Sequence, residues 1–350
     1  MLQPTKYFFP ALIILLVIVL LTAIAFGAVS ITLPDMFSAV KHWLQGKGAS
    51  NIYEGVFLQI RLPRVMLCMI TGAVLAVSGV LMQGLFRNPI VEPGLIGTSA
   101  GAAFGASVVF VLSTGMSKVI QQLAGPLLVP LFAFGGGLLA TYAVYVLAKG
   151  TRRVEVTTLL LIGIAVNAVG LSGTGFMSYI ARDPQARSIT FWNLGTFSGS
   201  TWMQVWITGF VATLVFILAI RYAKQLNTLV LGEEEANYAG VDTEKLKRKI
   251  MLYNTAMVSV ATAFVGVISF MGLIVPHLMR LVIGSDNKKL LPASMMAGAI
   301  LLTLADMGAR LLLAPAEIPI GIITSLVGAP IFIFLLRHTN ILNAKGGGYD

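Results

Sequence analysis

The sequence predicts an all-α polytopic membrane protein, a bundle of about ten transmembrane helices. Three observations carry this. Of 350 residues, 57% are hydrophobic and 11% charged, with a mean hydropathy of +0.88. A soluble domain carries about 25% charge and could not hide so much apolar surface behind so few polar groups. Apolar runs close to the ~20 residues needed to cross a bilayer recur along the chain. The basic residues behind the net charge of +10 fall between those runs and not on one face. That is the distribution of juxtamembrane loops, and it argues against a nucleic-acid partner.

Taken in order, Lys6 precedes an apolar run from Phe8 to Val29. The run is long for a cleaved signal peptide and reads as the first span, 9–31. The others are 62–81, 93–113, 123–147, 157–175, 202–222, 251–270, 272–284, 292–313 and 318–336. The eighth is too short for an ordinary crossing and contains Pro276, His277 and Arg280. It is expected to be tilted, broken, or joined to its neighbour through a kink at Pro276. With a cytoplasmic N-terminus, fifteen of the 24 Lys and Arg fall inside and seven outside, Arg280 and Arg310 lying within segments. The excess supports that orientation and places both termini in the cytoplasm. Two outer stretches, 32–61 and about 176–201, exceed simple turns. Phe191, Trp192, Phe197, Trp202 and Trp206 read as an interfacial aromatic belt.

Within the spans, Gly97, Gly101 and Gly105, and more weakly Gly72, Ala76 and Val80, recur every four residues, a spacing that lets helix backbones approach. Pro89 with Pro93, and Pro315 with Pro319, bracket short ordered turns, and Asn88 is placed to cap a helix opened by Pro89. Asp306 and Arg310 share a helix face and can pair. Asn167 either bonds to a neighbouring helix or faces an aqueous path. The single cysteine, Cys68, has no intrachain disulfide partner. His277, His42 and His338 form no cluster in sequence, and His277 reads as structural. No serine triad, HExxH or phosphate loop occurs, and the glycines at 346–348 lack the strand and helix that would make one. The chain is therefore not read as an enzyme, and no cofactor or metal is assigned to it. Any ATP chemistry belongs to another chain.

Residues 223–250 are too polar to span. Two short helices separated by Gly240 fit them: Glu233, Glu234 and Glu235 suit the first turn after Gly232, and Asp242 can cap the next helix. Leu231 and Tyr238 would give this cytoplasmic insert an apolar docking knob.

Several stretches together resemble the FecCD-type permeases, the membrane subunits of ABC importers for iron–siderophores, haem and vitamin B12. They are Arg61-Leu62-Pro63-Arg64; Gln83 to Pro89 with Glu92 to Gly97; Leu231 to Gly240; Gly272 to His277 with Arg280; Ala305 to Arg310; and Glu317 to Gly321 with Gly328-Ala329-Pro330. The resemblance implies one permease domain over 1–350, with ten helices and an inverted repeat like that of the vitamin B12 importer permease. It implies a second copy of the permease, two cytoplasmic ATPase subunits carrying ATP and Mg, and an extracytoplasmic substrate-binding protein, all at the bacterial inner membrane. Arg61, Arg64 and Arg310 would dock the binding protein. Leu231, Gly232, Glu233, Ala236, Tyr238 and Gly240 would couple to the ATPase. The pathway would run along the fifth and tenth helices. The stretches Gln83–Pro89 and Phe191–Phe197 are worded most like haem permeases, so haem is the expected cargo, with a ferric siderophore or cobalamin as alternative. An ion-coupled transporter would need a titratable midplane group, and a membrane enzyme a convergent reactive set. A channel or structural subunit would need no ATPase.

Overall fold

The computed structural model describes residues 5–27, 31–46, 49, 51–113, 118–149 and 155–346. Lys47, Arg152 and Arg153, counted in the charge balance, lie outside the described residues, as do Gly347 and Gly348 of the terminal glycines. The described chain is all helix: α1 (Thr5–Ala25), α2 (Leu33–Leu44), α3 (Ile52–Val56), α4 (Leu62–Phe86), α5 (Thr98–Leu112), α6 (Lys118–Ala148), α7 (Val156–Ile180), α8 (Asp183–Asn193), α9 (Trp202–Ile220), α10 (Ala223–Leu229), α11 (Glu233–Tyr238), α12 (Thr243–Val265), α13 (Met271–Ile283), α14 (Asn287–Leu311) and α15 (Ile320–Gly346). Each of the ten apolar segments holds one helix: α1, α4, α5, α6, α7, α9, α12, α13, α14 or α15. Among the described residues, six helical stretches are long and apolar enough to cross a membrane by length and composition. Helices α5 and α13 and the apolar part of α15 are shorter. Only helices close every backbone hydrogen bond within one segment, which is why an apolar chain of this kind has no other way to cross lipid.

Helix α4 is the axis of the bundle. It is apolar on all sides and most of its residues are buried, as expected of a central helix. Backbone contact at its glycines adds to side-chain packing along it. A Cβ on Gly72 would overlap the Gly298 carbonyl of α14, and one on Gly79 the Gly272 carbonyl of α13. Gly101 and Gly105 of α5 meet Gly136 and the Phe132 carbonyl of α6 in the same way. Gly97 does not belong to that stripe: its φ of +88° closes the 3₁₀ turn Pro93–Ile96 before α5. On the periphery, Trp206, Phe210, Leu214 and Ile217 of α9 are exposed at helical spacing, a face suited to lipid.

Four local expectations change. The interruption near the eighth segment is not at Pro276, which lies inside α13. It falls at 266–270, where Gly266 (φ +82°) ends α12 and Phe270 (φ +69°) starts α13. Asn88 caps no helix. Its Oδ1 accepts the Ile90 N–H (3.0 Å), an Asx turn, because Pro89 and Pro93 leave too few donors between them to propagate a helix. In the insert, the helix after Gly240 is the first part of α12, and an additional helix, α10, precedes α11. The aromatic cluster is divided. Phe191 and Trp206 are exposed, Phe197 is in the core, and Trp202 Nε1 donates to the Leu58 carbonyl (2.9 Å). Of the two longer stretches, 32–61 holds α2, α3 and a π turn, Phe57–Arg61, and 176–201 holds the short helix α8.

Candidate functional sites at the two ends of the bundle

Two polar constructions occupy opposite ends of α4. Twenty residues separate Arg64 from Gly84, about 30 Å at ~1.5 Å per residue, which is the thickness of a hydrocarbon core. Helix α14 runs beside α4 in the reverse direction, its N-terminus tied to α10 and its Arg310 end to Arg64.

At the Arg64 end, three arginines converge. Arg64 grips Asp306 through Nη2 (2.8 Å) and Nε (3.2 Å) to Oδ1, and its Nη1 donates to Glu317 Oε1 (2.7 Å). Asp306 Oδ2 lies 3.0 Å from Arg310 Nε. The i, i+4 pair read from the sequence is therefore one arm of a larger network. Arg310 continues to the carbonyls of Ala23 (3.1 Å) and Phe26 (3.2 Å), and Arg61 Nη1 donates to the Ile24 carbonyl (2.8 Å). These carbonyls are the open end of α1, where helical acceptors lack internal donors and the dipole is negative. Three guanidiniums against two carboxylates leave one formal positive charge, offset in part by that helix end. All three arginines are buried, while Glu317 is 39% exposed at its side chain. Gly27 makes room, since a Cβ there would strike the Arg61 guanidinium.

At the other end, α10 and α11 form an elbow onto α12. Tyr238 is 91% and Leu231 72% exposed, whereas Ala236 is fully buried. Gly232 adopts φ +134° and Gly240 φ +84°, conformations that favour glycine. The expected caps are present: the acidic trio opens α11, and the Asp242 carboxylate accepts the Lys245 N–H (2.9 Å). Glu233 turns inward. Its carboxylate lies 2.6 Å from Nζ of Lys247, which also meets Glu244 at 3.0 Å and is itself fully buried. Val241 N–H to the Ala236 carbonyl (2.9 Å) and Thr243 to Asn237 Oδ1 (3.0 Å) close the elbow. Asn227 ties α10 to α14 by donating to Asp286 (2.7 Å) and accepting from Asn287. The Asn227 amide and the Lys288 N–H hold the Asp286 carboxyl below the usual aspartate range.

Between the ends, Asn167 of α7 donates to the Leu95 carbonyl (2.9 Å) and also borders a cavity of about 420 Å³ with Glu92, Ser99, Asn193 and Ser269. Among the described residues, no group of three or more His, Cys, Asp or Glu could hold a metal. Lys247 was not singled out by sequence, and Gln83 and Glu317 stood there within quoted stretches without a role of their own. A lysine three residues after a helix-opening glutamate was the available sign for the first.

The chain matches the FecCD transport family over residues 15–338. It belongs to that family. Relatives of this FecCD chain include the hemin transport system permease HmuU of Yersinia pestis, 38% identical over 328 residues and covering 93% of both chains. The cobalamin import permease BtuC of Halobacterium salinarum is 38% identical over 282 residues, covering 81% of this chain and 73% of that one. A solved chain described as a metal-chelate type ABC transporter in an inward-facing conformation superposes with a TM-score of 0.81 at 30% identity, covering 94% and 98%. Equal identity to a hemin and a cobalamin permease means that the haem-like wording of two stretches does not single out haem. The FecCD membership and the long apolar helices describe a multi-pass membrane transport protein with the all-α fold of these permeases.

Proposed function

We propose that this chain is the permease subunit of an ABC importer and moves a metal chelate across the bacterial inner membrane by ATP-driven alternating access. It would pair with a second copy, each chain contributing ten spans and an inverted repeat, with both termini on the ATPase side. Two ATPase subunits would seat on the elbow built from Leu231, Gly232, Glu233, Ala236, Tyr238 and Gly240. One observation carries the reading: an exposed tyrosine–leucine knob is braced on a buried lysine, at the end of the bundle remote from the arginine cluster. Exposed apolar groups on a rigid polar elbow suit a partner in water and not lipid. Within this arrangement Tyr238 and Leu231 touch the ATPase, while Glu233 acts indirectly through Lys247.

At the Arg64 end, Arg61, Arg64 and Arg310 would form the positive floor of the binding-protein dock. Their donors serve Asp306, Glu317 and the α1 carbonyls, so they act by holding the rim in shape and by their net positive field. Cargo selection would rest with the binding protein. Haem, cobalamin and ferric siderophores share the chelate chemistry, and the comparisons favour this common class over haem alone.

The test is uptake into vesicles holding the permease with its ATPase, offering haem, cobalamin and ferric siderophores with matching binding proteins. ATP-dependent uptake of one of them is expected, and Tyr238→Ala should weaken ATPase association at least several-fold without unfolding the permease. Uptake at full rate without the ATPase would refute the reading.

A further inference from the structure

Glu92 is unusual in the bundle. It is a half-buried carboxylate beside the 3₁₀ turn Pro93–Ile96, deep among the spans, and nothing in the scheme above uses it. An ionisable group at such depth is costly and marks function more often than packing. Its Oε1 accepts the backbone N–H of Phe270 (2.9 Å). Phe270 is the residue at which the chain re-enters a helix after the break at 266–270, and it does so in the left-handed region at φ +69°. A bulky L-residue keeps that conformation only where its surroundings impose it.

The surroundings do so from both sides. Gln83 of α4 donates to the carbonyls of Gly272 (3.3 Å) and Leu273 (3.2 Å), and Arg280 donates to Gln83 Oε1 (3.1 Å). Asn254 of α12 donates to the Pro93 carbonyl (3.2 Å). A Cβ at Gly272 would run into the Pro93 ring, and one at Gly328 of α15 would lie 2.7 Å from the Phe270 Cβ. Glu92 thus joins the turn before α5, on which Asn167 of α7 also rests, to the start of α13, against which α15 packs. It also borders the 420 Å³ cavity together with Ser269, inside the break. A neutral oxygen would satisfy one N–H at lower desolvation cost. An ionisable carboxyl is therefore more than this single cap requires.

We propose that Glu92 is a positioning residue of the transport cycle. Its carboxylate holds the α12–α13 break in one of two arrangements, and release of the Phe270 N–H lets α13 and the adjoining α15 wall shift to the other. This rests on the transporter reading above, and it is a two-state element of the kind through which ATPase movement becomes altered access.

The experiment uses the complete permease–ATPase complex in proteoliposomes. Cys68, the single cysteine and a buried one, is replaced by Ala, and Ser269→Cys is the reporter. With Glu92 intact, maleimide labelling at position 269 should differ several-fold between nucleotide-free and ATP–vanadate-trapped complexes. Glu92→Leu should abolish that difference and lower substrate moved per ATP hydrolysed at least tenfold. Glu92→Gln, which keeps an acceptor oxygen and removes the ionisable group, should lower the ratio several-fold. A merely structural loss would reduce the yield of complex but leave the ratio of assembled complexes unchanged. Wild-type ratio and labelling in Glu92→Leu would overturn the proposal. If that variant does not assemble, the same result in Glu92→Gln overturns it. Uptake by the unaltered complex without ATP would instead sink the ATP-driven importer reading itself.

Discussion

Replacing Asp306 by Ala tests the arginine cluster most directly. The carboxylate is 2% exposed at its side chain, receives two donors of Arg64 at 2.8 and 3.2 Å, and stands 3.0 Å from Arg310 Nε. Without it, two guanidiniums with side-chain exposures of 11% and 6% face each other with no carboxylate between them. Removing one partner of a buried ion pair costs about 3–5 kcal/mol, because the remaining charge stays buried. Arg64 keeps Glu317 and Arg310 keeps the α1 carbonyls, so the loss is that of one pair and not two. At roughly 2 °C per kcal/mol for a large domain, the melting temperature in detergent should fall by about 6–10 °C. Asp306→Asn, which keeps the shape and one acceptor oxygen, should lose less. The triple replacement Arg64→Met, Asp306→Leu, Arg310→Met should recover part of the loss, since well-packed apolar groups can replace a buried ion network. The assay is thermal unfolding of the purified permease followed by fluorescence and size exclusion. An Asp306→Ala protein melting within about 2 °C of the unaltered one would show that the network contributes no net stability.

Three further outcomes are expected. Lys247→Met should cost only about 1–2 kcal/mol, because Glu233 and Glu244 are 22% and 39% exposed and regain water. Substrate moved per ATP should nevertheless drop several-fold, and an unchanged ratio would remove Lys247 from the coupling elbow. Gly72→Ala should destabilise by about 1–3 kcal/mol through overlap with the Gly298 carbonyl. Gly308→Ala, with open space at its Cβ, should be neutral or mildly stabilising, and equal melting points for the two would refute the packing argument. Asp286 has a carboxyl pKa lower in the folded protein than in the unfolded chain. Its contribution is therefore complete above the unfolded value of about 3.9 and disappears as pH falls through the folded value. Acid titration of the melting temperature should show this loss, and Asp286→Asn should flatten that part of the curve.

Much of the elbow built from α10 and α11 was readable because its signals are local. Gly232 with the three glutamates that follow it, and Gly240 with Asp242, are two local sets, each spanning four residues or fewer, and α11 and the start of α12 appear where those residues require them. What was not readable there is the direction of Glu233. Whether a first-turn carboxylate faces water or Lys247 depends on the angle between two helices, and no residue within one helix sets that angle. The arginine cluster shows the same division. Asp306 and Arg310 are visible as a pair four residues apart, but Arg64 lies 242 positions from Asp306. Its burial follows from α4 and α14 approaching at Gly72 and Gly298.

Composition and the placing of the apolar runs alone determined a helical membrane protein and where ten of its helices fall, because in lipid each segment must satisfy its own backbone. The same local logic located the polar insert and its knob. Tertiary structure alone decided that the chain breaks at 266–270 instead of Pro276, that Glu92 reaches Phe270, and that the three arginines are buried together. Those features arise from contacts between helices distant in sequence. Their energies depend on which backbones can touch, a property of the assembled bundle and not of any one segment.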